Sequence, residues 1–189
     1  APGPDNIFVL TQSAIRGRLA GWVITLGLCT GLIGHTLMVS SGVAVIFKAS
    51  PVAFTSLKLA GGAYLLYLAF LAFRASATKL SPFENGGASL FQLYRRGIIM
   101  NMTNPKVSIF FLSFLPQFAD PARGLLMMQI VTLGFVFIIS ALMVFGMISF
   151  FAGFLGDHLQ RSFRTQNIMN RIAGTVYMGL AVKLVTSEI

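Results

Sequence analysis

Long apolar runs with almost no charge are the feature that most limits what this chain can fold into. Three of them reach the ~20 residues that a helix needs to cross a bilayer: Trp22–Phe47, Val52–Phe73 (which contains Lys58) and Leu125–Phe154. Over the whole chain 56% of residues are hydrophobic and 10% are charged, whereas a soluble domain carries about 25% charged residues. A soluble globule of this composition would expose large apolar patches, and an intrinsically disordered chain needs low hydrophobicity. The sequence therefore predicts an all-α, polytopic membrane protein.

Three shorter apolar segments complete the predicted set of helices. Ile98–Leu115 and Ile168–Val185 are interrupted by polar or charged residues, and Ile7–Ala14 is too short to span a bilayer. No charged region followed by a cleavage site precedes that short segment, so we read no signal peptide. We expect six transmembrane helices in a single transmembrane domain over residues 1–189, the first of them truncated at its start.

The basic residues predict how the chain is oriented. The formal charge of +9 is divided among loops, whereas a nucleic-acid site collects its charge in one patch. The first, third and fifth loops carry most of the arginine and lysine, and such loops stay in the cytoplasm. We therefore expect both chain ends to point outward, and we expect contact with the lipid bilayer and none with nucleic acid. The basic residues of the three loops are Arg16, Arg18, Arg74, Lys79, Arg95, Arg96, Arg161, Arg164 and Arg171.

Two stretches that interrupt the helical pattern resemble each other. Residues 1–10 and residues 103–112 each place a proline beside a charged residue and then an Ile-Phe-x-Leu run. Each opens a unit of three helices, repeat one over residues 1–73 and repeat two over residues 97–189, joined by a cytoplasmic loop over residues 74–96. Because three is odd, the second unit must be inverted relative to the first. Inverted repeats with broken helices, here helices one and four, are typical of secondary transporters, which bind their substrate where the breaks meet.

Asp5 and Lys106 are predicted to lie at one depth in the membrane. Asp5 precedes Arg16 by eleven residues, and Lys106 follows Arg96 by ten. At ~1.5 Å of rise per residue, both fall ~15 Å from the cytoplasmic face, near the middle of a ~30 Å hydrocarbon core. Charged residues at that depth are costly and are usually functional. The other interpretation is a static ion pair that locks two helices together.

A small zwitterion such as an amino acid suits this pair of opposite charges. The prolines beside them free backbone groups that a ligand can use, and an opened helix N-terminus offers amide donors to a carboxylate. We expect the substrate carboxylate on the lysine and its ammonium group on the aspartate. The predicted substrate site consists of Pro4, Asp5, Asn6, Asn101, Asn104, Pro105 and Lys106.

The candidates for carrying a coupled proton are Asp5 and His35. Burial and a neighbouring lysine shift the pKa of a carboxyl group in opposite directions, so the residues leave the proton role of Asp5 open. A histidine titrates at about pH 6.5 when unperturbed, but His35 is equally interpreted as a hydrogen-bond partner on a packed helix face. On the same helix Gly27, Gly31 and Gly34 favour close approach of another helix.

No residue pattern for enzymatic catalysis stands out, because the sequence has no phosphate-binding loop, no HExxH motif and no paired histidine ligands. Cys29 is the only cysteine, which excludes an intrachain disulfide and a cysteine-rich metal site. We therefore expect neither an enzyme nor a metal or cofactor. Two other functions stay open: a channel-like pore for small solutes or ions, and a non-transporting scaffold in which the two charges are structural.

The motifs together resemble those of the LysE/RhtB family of amino-acid exporters, in the family's order over nearly the whole chain. They are Pro2-Gly3-Pro4-Asp5-Asn6 with Arg16-Gly17, Gly27 to His35, Arg96-Gly97 with Asn104-Pro105-Lys106, and Phe114-Leu115-Pro116-Gln117-Phe118. The resemblance implies a multi-pass protein of the bacterial inner membrane that exports amino acids or their derivatives as a proton-driven antiporter and as a homodimer. Where exporters of basic amino acids carry an acid in helix two, this chain has His35, which implies a neutral substrate of the homoserine, threonine or leucine kind.

Overall fold

The computed structural model describes residues 3–49, 51–75, 88–161 and 163–186. These ranges contain seven α-helices, two short 3₁₀ turns between the fifth and sixth helices, and no β-strand. The helices are α1 (Pro4–Arg16), α2 (Arg18–Ala49), α3 (Pro51–Arg74), α4 (Leu90–Met102), α5 (Pro105–Phe114), α6 (Leu126–Arg161) and α7 (Phe163–Thr186). The prediction of an all-helical fold is confirmed for this part of the chain.

Two helices are long and apolar enough to cross a bilayer by themselves. They are the Arg18–Gly42 part of α2 and the Leu126–Ala152 part of α6. A third span is formed if α4 and the stretch Pro105–Phe118 are taken together, with a bend of 55° at the break between them. Leu59–Arg74 in α3 is apolar but shorter. These two to three spans within the described ranges indicate a membrane protein, while six crossings stay a prediction.

The start of α4 differs from the prediction for a local chemical reason. Ser89 and Gln92 form a capping box, in which each side chain accepts a hydrogen bond from the backbone N–H of the other. The helix therefore begins at Leu90, inside the stretch 74–96 that was predicted as a cytoplasmic loop. Residues 76–87 of that loop lie outside the described residues.

The glycines of α2 set its contact with α4, and the two helices run parallel. A Cβ added to Gly97 would lie 2.7 Å from the carbonyl oxygen of Ile24, so the two backbones meet directly. Only glycine allows so close an approach, because any side chain would force the helices apart. The contacts in order along the two helices are Gly27 with Gly97, Gly31 with Asn101, and Gly34 with Met102.

Three other helix pairs run antiparallel, since residues early in one helix lie against residues late in the other. The pairs are α1 with α4, α2 with α6, and α3 with α7. For α1 and α4 the direction follows from the contacts of Arg16 with Ala88 and of Asp5 with Asn104. For α2 and α6 it follows from Gly21 with Ser149 and Thr36 with Gly134. For α3 and α7 it follows from Phe73 with Gly174 and Leu65 with Ala181.

Two apolar clusters enclose the middle of the molecule. One surrounds Phe8, which follows Asp5 by three residues in α1, with Ile24 and Leu93. The other surrounds Phe111 with Ile130, near the end of α5. The start of α1 and the break between α4 and α5 lie between these clusters, and the polar residues of the candidate site are placed there.

Candidate functional site

The carboxylate of Asp5 is buried at the start of α1 and is held by two asparagines. Asp5 is only 5% exposed. The Asn101 amide donates a hydrogen bond to Oδ2 at 3.2 Å, and the Asn104 amide donates one to Oδ1 at 3.1 Å. Hydrogen bonds to an ionised acceptor are the strong ones, so this carboxylate ties α1 to the α4–α5 break.

Both the oxygen and the nitrogen of the Asn104 side-chain amide form hydrogen bonds, because the residue lies at the break between α4 and α5. Pro105 follows it at the first turn of α5, where the N–H that proline lacks would have no helical partner. The Asn104 side-chain oxygen accepts a hydrogen bond from the Lys106 backbone N–H at 3.1 Å and so caps α5. Its amide nitrogen is thereby directed to Asp5. The residue is an N-cap and a site residue at once.

His35 reaches the same place from α2. Its Nε2 atom lies 3.1 Å from the backbone carbonyl oxygen of Asn101, and the residue is buried. That carbonyl oxygen also accepts a hydrogen bond from the Asn104 backbone N–H. A broken helix leaves carbonyl groups without their helical partners, and the imidazole satisfies one of them when Nε2 carries the proton. His35 therefore contacts Asp5 indirectly, through Asn101.

Lys106 extends from the first turn of α5 towards α7. Its ammonium nitrogen lies 4.8 Å from the centroid of the Tyr177 ring, within the range of a cation–π interaction. A Cβ on Gly3 would lie 4.0 Å from the same nitrogen, so Lys106 also lies close to the start of α1. The predicted acid and base are therefore both brought to the region where two helices begin.

With the exception of His35, these groups line one cavity of about 580 Å³, within the range of about 300–1,000 Å³ that is usual for small-molecule sites. All five non-proline residues of the predicted substrate site line it. The rest of the wall is largely apolar and comes mainly from α5, α6 and α7. The apolar residues are Leu32, Leu68, Val107, Phe110, Phe114, Phe137, Ala141, Val144, Phe145, Ala173, Val176 and Leu180.

The arrangement is suited to binding a small molecule that is charged at one end. A carboxylate could lie on the Lys106 ammonium group and the N-terminus of α5, since a helix N-terminus attracts anions. A cationic group could lie on Asp5. Among the described residues no group of three or more histidine, cysteine, aspartate or glutamate side chains is placed to hold a metal ion.

Residues 1–188 match the model of a protein family described as LysE type translocator. The chain belongs to the LysE type translocator family. It is 32% identical to an uncharacterized membrane protein of Pseudomonas aeruginosa, over 100% of this chain and 89% of that protein. It is 30% identical to an uncharacterized membrane protein of Vibrio cholerae, over 100% of this chain and 91% of that protein. A leucine efflux protein of Salmonella typhimurium is 26% identical, over 99% of this chain and 89% of that protein. No solved structure matches the chain.

The resemblance to the LysE family that the motifs indicate is thus confirmed. This LysE translocator also contains a site residue that sequence reasoning missed, Tyr177. It lines the cavity and contacts Lys106, and both features depend on how α7 packs against the other helices, so no local sequence pattern indicates them. Pro4 and Pro105 begin α1 and α5.

Proposed function

We propose that the protein is a secondary active exporter of amino acids across the bacterial inner membrane. Membership of the LysE translocator family and the likeness to leucine efflux proteins support export of an amino acid. The observation that carries the proposal is one cavity that is lined by both Asp5 and Lys106 and otherwise mainly by apolar side chains. A neutral amino acid combines the same features, two opposite charges and an uncharged side chain.

The proposed architecture is a pair of inverted three-helix repeats, with α4 and α5 forming one broken span. In such a fold each helix is antiparallel to its counterpart in the other repeat. The antiparallel pairs α1 with α4, α2 with α6, and α3 with α7 support this assignment. The site then lies between the two repeats, where a rocking motion can expose it to either side of the membrane.

In the proposed cycle Asp5 takes up and releases the coupled proton. The ionised carboxylate accepts hydrogen bonds from Asn101 and Asn104 at the break. Protonation removes the charge that strengthens both bonds and so loosens α1 from the α4–α5 break. His35 is the second candidate for the proton, since it bonds the backbone of Asn101. Proton binding and the opening of the site are coupled in this way.

The test is uptake of labelled leucine, threonine or homoserine into inverted vesicles under an imposed pH gradient. The unchanged protein is expected to accumulate a neutral amino acid, with saturable flux and countertransport, which a channel-like pore would not show. Asp5→Asn should reduce gradient-driven accumulation at least tenfold and retain exchange of labelled for unlabelled substrate. Asp120→Asn is the matched control, because Asp120 pairs with Arg123 at an exposed turn. An Asp5→Asn protein that still accumulates substrate would exclude the proton role.

A double exchange, Asp5→Lys with Lys106→Asp, separates a substrate site from a static ion pair. If the two charges only hold helices together, the exchanged protein keeps its transport activity. If they bind the substrate and Asp5 carries the proton, the exchange abolishes accumulation. Restored activity in the exchanged protein would therefore count against the site proposed here.

A further inference from the structure

The polar side chains that line the cavity belong, with one exception, to the group around Asp5 and Lys106. The exception is Ser140 on α6, whose hydroxyl group donates a hydrogen bond to the Val136 carbonyl oxygen at 2.9 Å. A serine has a single side-chain donor, so the donor of Ser140 is already used. Among the described residues of the wall, every free side-chain donor therefore belongs to the group around the two charges. The polar residues of that group are Asp5, Asn6, Asn101, Asn104, Lys106 and Tyr177.

Three phenylalanine rings line the same cavity, and the first of them lies one helical turn from Lys106. Phe110 and Phe114 follow Lys106 by four and eight residues in α5, so they share its face of the helix at ~6 and ~12 Å along the axis. The Phe110 ring is stacked on the Phe114 ring with 4.6 Å between centroids, and it lies 5.6 Å from the Phe137 ring of α6. Leu180 of α7 packs against the same apolar cluster as Phe110 and Phe114. We call Phe110, Phe114, Phe137 and Leu180 the aromatic wall.

The rings of the aromatic wall are only partly covered by protein. Phe110, Phe114 and Phe137 are half-buried, whereas Phe111, their neighbour in α5, is fully buried in the core and is not part of the cavity wall. Apolar surface that faces a cavity is stabilised when an apolar group covers it. The aromatic wall is therefore suited to the side chain of a bound molecule.

The chemistry of the wall distinguishes between the side chains of neutral amino acids. A molecule held by Lys106 lies within reach of Phe110, one turn away, and a large apolar side chain covers more of the rings than a small one does. A hydroxyl group placed against the rings loses its hydrogen bonds to water and meets no free side-chain donor there, which is costly. Affinity is thus expected to rise with the apolar surface of the side chain and to fall when a hydroxyl group replaces part of it.

We propose that the aromatic wall selects amino acids with large apolar side chains, of the leucine, methionine and phenylalanine kind, over hydroxylated ones of the threonine and homoserine kind. Phe110 and Phe137 are the specificity-determining residues. The selection rests on the proposed function, in which the ligand is an amino acid with its two charges on Asp5 and Lys106.

Binding to the purified protein tests the selection without transport. The Tm of the detergent-solubilised protein is measured at increasing concentrations of L-phenylalanine, L-leucine, L-threonine and L-homoserine, and each rise in Tm gives an apparent Kd. Loss of a single methylene group from a ligand in an apolar pocket weakens binding about tenfold or more. We therefore expect the Kd values for phenylalanine and leucine to be at least tenfold lower than those for threonine and homoserine. Equal or tighter binding of the hydroxylated pair would overturn the proposal.

Phe137→Ala assigns the selection to the wall, and Phe135→Ala is its matched control. Phe135 lies on the same helix, is 61% exposed and is not part of the cavity wall. Phe137→Ala should raise the Kd for phenylalanine about tenfold and leave that for L-alanine, whose methyl group is short, unchanged; Phe135→Ala should change neither. An equal loss of affinity for both ligands would contradict a specificity role. Phe110→Leu serves the same purpose if Phe137→Ala does not fold, and the unchanged protein gives the primary result in either case.

Uptake of the same amino acids into inverted vesicles separates this proposal from that of export. Accumulation of threonine or homoserine in preference to leucine would overturn the role of the aromatic wall and leave the exporter intact. Selective binding of phenylalanine and leucine without accumulation would refute export and uphold the selection. Failure of all four amino acids to bind would overturn both proposals.

Discussion

Gly31→Ala is expected to damage the candidate site without changing any residue that lines it. A Cβ at this position would lie 2.6 Å from the side-chain oxygen of Asn101 and 2.7 Å from its Cβ. Two carbon atoms pack best at about 3.5–4.0 Å, so Asn101 has to retreat by roughly 1 Å. Its amide is already 3.2 Å from the Asp5 carboxylate, at the upper end of the usual range of about 2.7–3.2 Å. The hydrogen bond is therefore lost.

The expected size of the effect follows from that bond. A hydrogen bond to a charged group contributes about 1.5–3 kcal/mol, which corresponds to roughly a tenfold to hundredfold change in an equilibrium constant. Vesicle uptake should show a reduction in substrate affinity or in rate of at least tenfold, and detergent-solubilised protein should have a lower Tm.

Gly42→Ala is the matched control on the same helix. Nothing lies within 4 Å of a Cβ at Gly42, and alanine is more favourable than glycine in a helix by roughly 0.5–1 kcal/mol. Uptake should therefore be unchanged and the Tm equal or higher. If Gly31→Ala transports as well as Gly42→Ala does, the contact between Gly31 and Asn101 does not hold the site, and the reasoning is refuted.

Three further predictions concern single contacts. Gly97→Ala forces α2 and α4 apart and should lower the stability by ~1–3 kcal/mol, measured as a lower Tm. Gly179→Ala is the control and should leave the Tm unchanged, because no atom lies within 4 Å of a Cβ at that position. Similar Tm values for the two variants would contradict the backbone contact. Tyr177→Leu removes the ring beside Lys106, a contribution of ~0.5–1 kcal/mol, so the half-saturating substrate concentration in vesicles should rise about two- to fivefold, and Tyr177→Phe should leave it unchanged. Equal values for the two Tyr177 variants would rule out the cation–π contact. His35→Leu removes the donor to the Asn101 carbonyl and should reduce uptake more than His35→Gln, which can still donate; equal uptake by both would show that this hydrogen bond is dispensable.

The membrane character and the position of the break between α4 and α5 could be predicted because both depend on local sequence. Long uncharged runs are incompatible with water wherever they lie in a fold, so they indicate spanning helices directly. Proline cannot donate a backbone hydrogen bond, and Asn104 before Pro105 is a local helix cap. The grouping of Asp5 with Lys106 followed from counting helical residues inward from Arg16 and Arg96.

Other features depend on which helices become neighbours and on how each is rotated about its axis. The two donors to Asp5 come from residues 96 and 99 positions further along the chain, and hydrophobic periodicity does not specify such a pairing. The contact of Tyr177 with Lys106 likewise arises only after α7 has packed against the rest of the protein.

The sequence by itself determined that this chain is a membrane protein and that a helix breaks before Pro105, because hydropathy and backbone hydrogen bonding act over a few residues. The tertiary structure alone decided that two asparagines hold the acid and that a tyrosine covers the base. A hydrogen bond between distant residues exists only when two helices are close and correctly rotated, and packing across the whole molecule sets both conditions.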